Sequence, residues 1–132
     1  MRLGRIGREF KSLIPDVKRQ TIAVDFDGVI HKYSKGWHDG TIYDEPMDGA
    51  IDGLRVLLDK YSVFVFTTRD VIPVAMYLVS HGIRARIDSD QNRTFWNESG
   101  TILVTNRKLA AIAYVDDRAV RFESWNQVLN EL

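Results

Sequence analysis

The fold is decided by the stretch Thr21–Ile30, which reads TIAVDFDGVI. An unbroken apolar run ends there in two acids, Asp25 and Asp27, and a glycine follows them. Apolar residues without alternation are typical of a strand buried on both faces of a parallel sheet. Ligands bind at the carboxyl ends of such strands, and Gly28 permits the sharp turn that a binding loop needs.

The two acids predict a metal site. If the strand continues to Asp27, both carboxylates point to the same side, because side chains two residues apart share a face. Carboxylates at close range repel each other unless a cation lies between them, and their hard oxygen atoms suit Mg²⁺. The alternative is a strand-to-turn corner with solvated acids.

The composition predicts one globular domain. A chain of 132 residues suits a single core, and 45% hydrophobic with 27% charged residues is ordinary for globular proteins. No apolar run is long enough to span a bilayer and no signal-peptide pattern is present, so we expect no membrane partner and, by default, a cytoplasmic location. The absence of cysteine excludes thiolate metal sites.

Residues 1–20 form a basic N-terminal segment ahead of the predicted domain at 21–132. The segment carries six basic and two acidic side chains, which leaves twelve basic and sixteen acidic ones for the rest. Apolar residues within 2–14 fall near one helical face, and Pro15 ends that pattern. We favour a short docked helix or a frayed tail over a basic arm for nucleic acid, because aromatic residues are not interleaved.

A flap over the site is predicted at 29–47, since that segment mixes glycine, aromatic residues and two histidines with little periodicity. His31 and His38 lack a zinc pattern, and substrate contact or plain surface is the preferred interpretation for them. Tyr33 and Trp37 can either stack on an aromatic substrate such as a nucleobase or pack the flap onto the body. The sequence leaves both open.

Regular elements are predicted on both sides of this region. Apolar stripes at helical spacing follow Asp48 and Asp70, which we expect to cap helices. Polar residues between the later elements predict a solvated loop. The expected elements are a helix at 49–60, a strand at 62–66, a helix ending at Gly82, a strand at 83–87, the loop at 88–93 with Asp88 and Asp90, an edge strand or hairpin within 95–104, a strand at 111–115, an edge strand at 120–122 and a terminal helix capped by Ser124.

Four segments together resemble the haloacid dehalogenase (HAD)-like hydrolase superfamily. In family order they are Asp25-x-Asp27-Gly28, Thr67 at a strand end, Lys108 before a strand, and Asp116-Asp117 after it. Leu109 departs from the proline that often follows that lysine. The resemblance covers residues 21–122. It implies a three-layer Rossmann-like α/β fold, a parallel sheet flanked by helices, with the flap as a minimal cap.

The resemblance also implies roles for these residues. Asp25 would be the nucleophile, and Asp27 would protonate the leaving oxygen and then activate water. Thr67 would hold a phosphoryl oxygen together with the backbone N–H of Thr68, and Lys108 would offset negative charge.

The implied cofactor is Mg²⁺. Its ligands would be Asp25, the carbonyl oxygen of Asp27, and Asp116, with Asp117 as a second or water-mediated ligand. Arg69 would either bind substrate phosphate or pair with Asp70 or another acid.

The function implied by the resemblance is a Mg²⁺-dependent phosphatase that works through an aspartyl-phosphate. The acid at Asp27 argues against a dehalogenase. A phosphotransferase, or a non-catalytic phosphate- or nucleotide-binding module, remains the alternative, whereas a response-regulator receiver is excluded because its paired acids come early in the chain. The aromatic flap and the basic segment favour a nucleotide or a nucleic-acid end as the phosphorylated substrate. An oligomer that completes the site is left open.

Overall fold

A parallel β-sheet forms the centre of the fold. The computed structural model describes residues 19–116 and 120–132. In this part of the chain the strands are β1 (Thr21–Asp25), β2 (Ser62–Phe66), β3 (Ala85–Ile87), β4 (Ile102–Thr105), β5 (Ala113–Asp116) and β6 (Val120–Arg121). Their order across the sheet is β3-β4-β2-β1-β5-β6, and every neighbouring pair is parallel. The predicted Rossmann-like α/β sheet is confirmed.

The described helices are α1 (Ala50–Lys60), α2 (Val71–Ser80) and α3 (Trp125–Glu131). Two predicted caps are confirmed, because Asp70 accepts from the backbone N–H of Ile72 at 3.2 Å and Ser124 accepts from that of Gln127 at 3.1 Å. The predicted cap Asp48 is wrong. Helix α1 instead follows Gly49, whose φ of 79° is left-handed and which makes no side-chain cap.

The two faces of the sheet are covered differently. On the helical face, alternate strand residues such as Val24 and Val65 share one core cluster with buried residues of all three described helices. On the opposite side, which we call the loop face, Ala23, Phe64 and Leu103 pack against Trp96 and Leu109. The last two residues come from segments between strands. The loop face therefore borders the polypeptide that carries Lys108.

The prediction of an edge strand or hairpin within 95–104 is wrong. Strand β4 lies inside the sheet, between β3 and β2, and Ile102, Leu103 and Val104 are completely buried. The run has the unalternating apolar character of a strand covered on both faces. A short run suggested a strand at the edge of the sheet. The position of a strand within the sheet, however, does not follow from its length or from its order in the chain.

Most of the basic N-terminal segment lies outside the described residues, which begin at Arg19. The guanidinium of Arg19 donates to the carbonyl oxygens of Leu58 and Tyr61 at 2.7 and 2.9 Å. These carbonyls belong to the end of α1, where cations interact favourably with the helix dipole. Arg19 is therefore a structural residue. No helix in the described part of the chain has the length and apolarity that a membrane crossing requires.

Candidate active site

Asp25 and Asp116 lie side by side at the carboxyl edge of the sheet. Val24 of β1 is in register with Val115 of β5, so the two acids are the next residues on adjacent parallel strands. Neighbouring strands are roughly 4.8 Å apart. The sheet register therefore brings together two acids that are 91 positions apart in the sequence.

Both acids share the loop face of the sheet. Asp25 is two residues after Ala23, which belongs to the loop-face cluster, and Asp116 is two residues after Tyr114, which packs against that cluster. Lys108 approaches from the same side, because its Nζ lies 5.6 Å from the centre of the Phe66 ring. Phe66 is the register partner of Asp25.

Strand β1 ends at Asp25, and this changes the expected position of Asp27. An Asp25 Oδ1 atom accepts from the backbone N–H of Phe26 at 2.8 Å, and the Phe26 carbonyl accepts from the N–H groups of Ile30 and His31, both at 2.9 Å. The chain thus turns directly after Asp25, with Gly28 at a φ of 80°. The prediction that a continuing strand aligns Asp25 and Asp27 is wrong.

Asp27 is held by two donors from different segments. Its Oδ1 lies 2.8 Å from Nδ1 of His31, and its Oδ2 accepts from Nε of Arg69 at 2.8 Å. The other ring nitrogen of His31, Nε2, accepts from the backbone N–H of Asp44 at 3.1 Å. Since an accepting nitrogen carries no proton, Nδ1 carries it and donates to Asp27.

His31 is completely buried, and the prediction that it contacts substrate or surface solvent is wrong. Its ring stacks on Phe26 with centres 5.5 Å apart, and Tyr43 meets it edge-on at 5.2 Å. The ring is therefore a part of the core that orients Asp27. His38, by contrast, is exposed on the flap.

Arg69 pairs with an acid, as one of its two predicted roles required, and that acid is Asp27 rather than Asp70. The side chain is only 4% exposed. A second nitrogen, Nη1, donates to the Gly40 carbonyl at 2.8 Å, and the guanidinium lies 4.5 Å from the centre of the Trp37 ring. Arg69 thereby joins the flap to the end of β1.

The turn at 67–69 follows β2 and is tightly fixed. Thr67 is buried, and its hydroxyl accepts from the backbone N–H of Arg69 at 3.1 Å. Thr68, the next residue, is exposed. The amide of Asn106 donates to the carbonyls of Thr67 and Arg69 at 2.7 and 2.8 Å.

Sequence reasoning missed Asn106. The available signal was its position two residues after the apolar run at 102–104. A polar side chain at that point lies at the same edge as the other site residues.

The flap at 29–47 is anchored at both ends. Met47 donates its backbone N–H to the Ile30 carbonyl at 2.7 Å, and Lys32 donates to the Glu45 carbonyl at 3.1 Å. Inside the flap, the Tyr43 hydroxyl donates to the Gly36 carbonyl at 2.8 Å. The predicted flap is present, and its base is the loose hairpin that the composition indicated.

The two flap aromatics differ in how far they are buried. Tyr33 lies inside the flap, with its ring centre 5.7 Å from that of His31 and 5.9 Å from the Arg69 guanidinium. Trp37 is 56% exposed even though it contacts Arg69. Packing thus accounts for the tyrosine, whereas the tryptophan leaves much of its ring open to a ligand.

Of the predicted magnesium ligands, Asp25 and Asp116 follow residues that are in register on adjacent strands, and both carboxylate oxygens of Asp27 are bonded to His31 and Arg69. Asp117 lies outside the described residues. Within residues 19–116 and 120–132, side chains of His, Asp and Glu form no group of three that could hold a metal ion. The adjacent pair offers hard carboxylate oxygens, which is the donor chemistry that Mg²⁺ prefers.

Asp88 belongs to a second charged cluster, so the prediction of a solvated loop is wrong for this residue. Its side chain is 6% exposed. It accepts from Arg93 Nε at 3.0 Å, the Thr105 hydroxyl at 2.8 Å and Arg107 Nη2 at 3.1 Å. Burial would raise the pKa of Asp88, but the hydrogen bonds from Thr105 and the two arginines, with the backbone N–H of Asp90, outweigh it and lower the pKa to about 2.

Comparison with known proteins identifies a structural neighbour. No protein-family description matches the sequence, and no curated protein matches it. The structure of a conserved protein from Bacteroides thetaiotaomicron is similar, with a TM-score of 0.55 and 22% identity, over 86% of this chain and 91% of that chain. This likeness supports the α/β fold.

Proposed function

We propose that the protein is a Mg²⁺-dependent phosphohydrolase of the HAD-like type that works through an aspartyl-phosphate. The observation that carries the proposal is the adjacency of Asp25 and Asp116 at the carboxyl edge of the parallel sheet. Thr67, at the end of the neighbouring strand, and Lys108, on the same face as Asp25, support it. Acids, a hydroxyl and a cation at one edge are the groups that phosphoryl transfer needs.

In the first step, an Asp25 oxygen attacks phosphorus and the bond from phosphorus to the leaving oxygen breaks. The leaving oxygen keeps the electron pair and takes a proton from Asp27, which becomes a carboxylate. Thr67 orients a phosphoryl oxygen, and the Lys108 ammonium offsets negative charge. Asp25 and Asp116 would hold Mg²⁺, which when bound would neutralise further negative charge.

In the second step, water attacks the phosphorus of the aspartyl-phosphate and releases inorganic phosphate and the Asp25 carboxylate. Asp27 is the base that takes a proton from this water. Both of its oxygens already accept hydrogen bonds, from His31 and Arg69, which orients the carboxylate as an acceptor. Donation of a proton to a leaving group requires one of these bonds to break.

The test is phosphate release with Mg²⁺ from nucleotides, sugar phosphates, aryl phosphates and 3′- or 5′-phosphorylated oligonucleotides. We expect release by the wild type and by the surface control Asp52→Asn, whose side chain is 92% exposed, and at least 10³-fold less from Asp25→Asn. Acid-quenched wild type should carry the mass of one phosphoryl group on the peptide that contains Asp25.

Equal phosphate release from the wild type and from Asp25→Asn would show that Asp25 is not the nucleophile. Tight phosphate binding without release from any substrate would favour the binding module instead.

A further inference from the structure

A cleft of about 640 Å³ lies between the flap and α2. This volume is within the range of small-molecule sites. The cleft, called the flap cleft below, meets the candidate active site at Arg69, which lines it and also binds Asp27. Its lining includes Trp37, Thr41, Arg69, Asp70, Met76 and Tyr77.

The hydroxyl groups that line the flap cleft are already engaged within the protein. The Thr41 hydroxyl donates to the Asp39 carboxylate at 2.6 Å. The Tyr77 hydroxyl donates to the Asp44 carbonyl at 3.0 Å, and the Ser80 hydroxyl donates to the Tyr77 carbonyl at 2.7 Å. Because these donors are used, a ligand that needs many hydrogen bonds, such as a sugar, gains little here.

The two charged side chains that line the flap cleft are also engaged within the protein. Arg69 is paired with Asp27 at 2.8 Å, and Asp70 accepts from Ile72 as the cap of α2. No cation in the lining is left to neutralise a second phosphate group. One donor of the lining does remain, because Nη2 of Arg69 is buried and has no hydrogen-bond acceptor among the described residues.

Two large apolar side chains are exposed on opposite walls of the flap cleft, Trp37 on the flap and Met76 on α2. Trp37 is 56% exposed and Met76 is 67% exposed. An indole ring and a thioether both interact favourably with aromatic rings. Exposed apolar groups that surround a cleft indicate a ligand that covers them.

We propose that the flap cleft is the leaving-group subsite of the phosphatase and takes an uncharged aromatic group, so that its substrates are aryl phosphates. This inference rests on the proposed function. Attack by Asp25 forms the oxygen–phosphorus bond, and the electron pair of the breaking bond goes to the aryl oxygen. An aryl oxide is a stable leaving group and needs little proton donation. That property suits an Asp27 whose two oxygens already accept hydrogen bonds.

The kinetic test compares 1-naphthyl phosphate with glycerol phosphate in Met76→Glu and in the matched control Val79→Glu. Val79 is 56% exposed on the same helix and does not line the flap cleft. We expect at least a 10-fold higher KM for 1-naphthyl phosphate in Met76→Glu, with glycerol phosphate and the control unaffected. Equal effects on both substrates, or equal effects of both substitutions, would overturn the inference. Trp37→Ala serves as the second variant if Met76→Glu fails to fold.

A binding test separates the subsite from the chemistry. It titrates 1-naphthol into the wild type and follows backbone amide NMR signals. We expect shifts at flap and α2 residues that Met76→Glu abolishes. If naphthol binds in this way but no substrate releases phosphate, the subsite is supported and the proposed function fails. If phosphate is released but naphthol shifts no flap or α2 signal, the subsite is overturned and the proposed function stands.

Discussion

Nε of Arg69 lies 2.8 Å from Oδ2 of Asp27, across 42 positions of the sequence. The Arg69 side chain is 4% exposed and that of Asp27 is 22% exposed. A charge pair so nearly removed from water is costly to break, because the remaining partner keeps its charge without compensation.

Arg69→Gln is therefore expected to lower the free energy of unfolding by about 1–3 kcal/mol. Phosphate release should fall about 10²-fold, because Asp27 loses one of its two orienting donors. Arg69→Lys should restore only part of the lost stability and part of the lost phosphate release, since an ammonium cannot reproduce the guanidinium fork. Urea unfolding and steady-state kinetics measure the two effects.

The matched control is Arg55→Gln, which breaks the exposed pair with Asp52 at 3.5 Å. Surface pairs contribute about 0–1 kcal/mol. A similar loss of stability in Arg69→Gln and Arg55→Gln would show that the buried pair stabilises the protein no more than the exposed one.

Asn106→Asp should disturb the turn at 67–69. The substitution keeps the shape of the side chain but replaces the amide donor, which serves the carbonyls of Thr67 and Arg69, by an acceptor. Three oxygens then face one another. Because Asn106 is exposed and the new carboxylate can turn toward water, we expect a loss of about 0.5–1.5 kcal/mol in unfolding free energy and a lower kcat. Thermal unfolding and kinetics test this. Asn92 is exposed like Asn106 but lies outside the turn at 67–69, so the same losses in Asn92→Asp would show that the turn is not the reason.

Gly53→Ala should destabilise the protein even though alanine is the better helix former. A Cβ atom at Gly53 would clash with the indole ring of Trp125, which is 3% exposed. Overpacking costs about 1–3 kcal/mol and opposes a helix-propensity gain of about 1 kcal/mol. Chemical denaturation measures the difference. Asp59→Ala, exposed on the same helix, is the control, and a stabilised Gly53→Ala protein would contradict the packing of α3 on α1.

Asp88 should make stability depend on acid pH. Its pKa is lowered from 3.8 to about 2 in the folded protein, where burial is outweighed by hydrogen bonds from Thr105, Arg93, Asp90 and Arg107. A lowered folded pKa gives stability that is fully present above about pH 4 and is lost as the pH falls toward 2.

The free energy of unfolding of the wild type should therefore exceed that of Asp88→Asn by about 2 kcal/mol at pH 6. This difference should disappear between pH 4 and pH 2. Urea unfolding over a pH series measures it. A gap that stays constant down to pH 2 would mean that the Asp88 charge is not its source.

The sequence predicted those parts of the fold that rest on local signals. The apolar run Ile22–Val24 and the run at 62–66 were recognised as strands because parallel strands buried on both faces lack alternation. The run at 102–104 has the same character but was assigned to an edge. Its neighbours in the sheet are set by contacts distant in sequence, which no local pattern encodes.

The candidate site divides in the same way. The positions of Asp25 and Asp116 followed from their motifs, because strand ends of a parallel sheet meet at one edge. The hydrogen bonds of Asp27 to Arg69 and His31 could not be predicted from the motifs. They depend on where β1 stops and on how an aperiodic flap folds back, and both are settled by packing across the molecule rather than by local preference.

Backbone hydrogen bonds between Ile30 and Met47 and between Lys32 and Glu45 close the base of the flap. A change in the length of the flap tip therefore need not alter the register of the sheet. Doubling the length of a flexible loop costs only about 0.6 kcal/mol. Residues 34–36 precede Trp37 and Gly40, which contact Arg69. They are therefore a natural graft point, where a longer insert, even a small folded module, changes what the protein admits while the strands beneath keep their alignment.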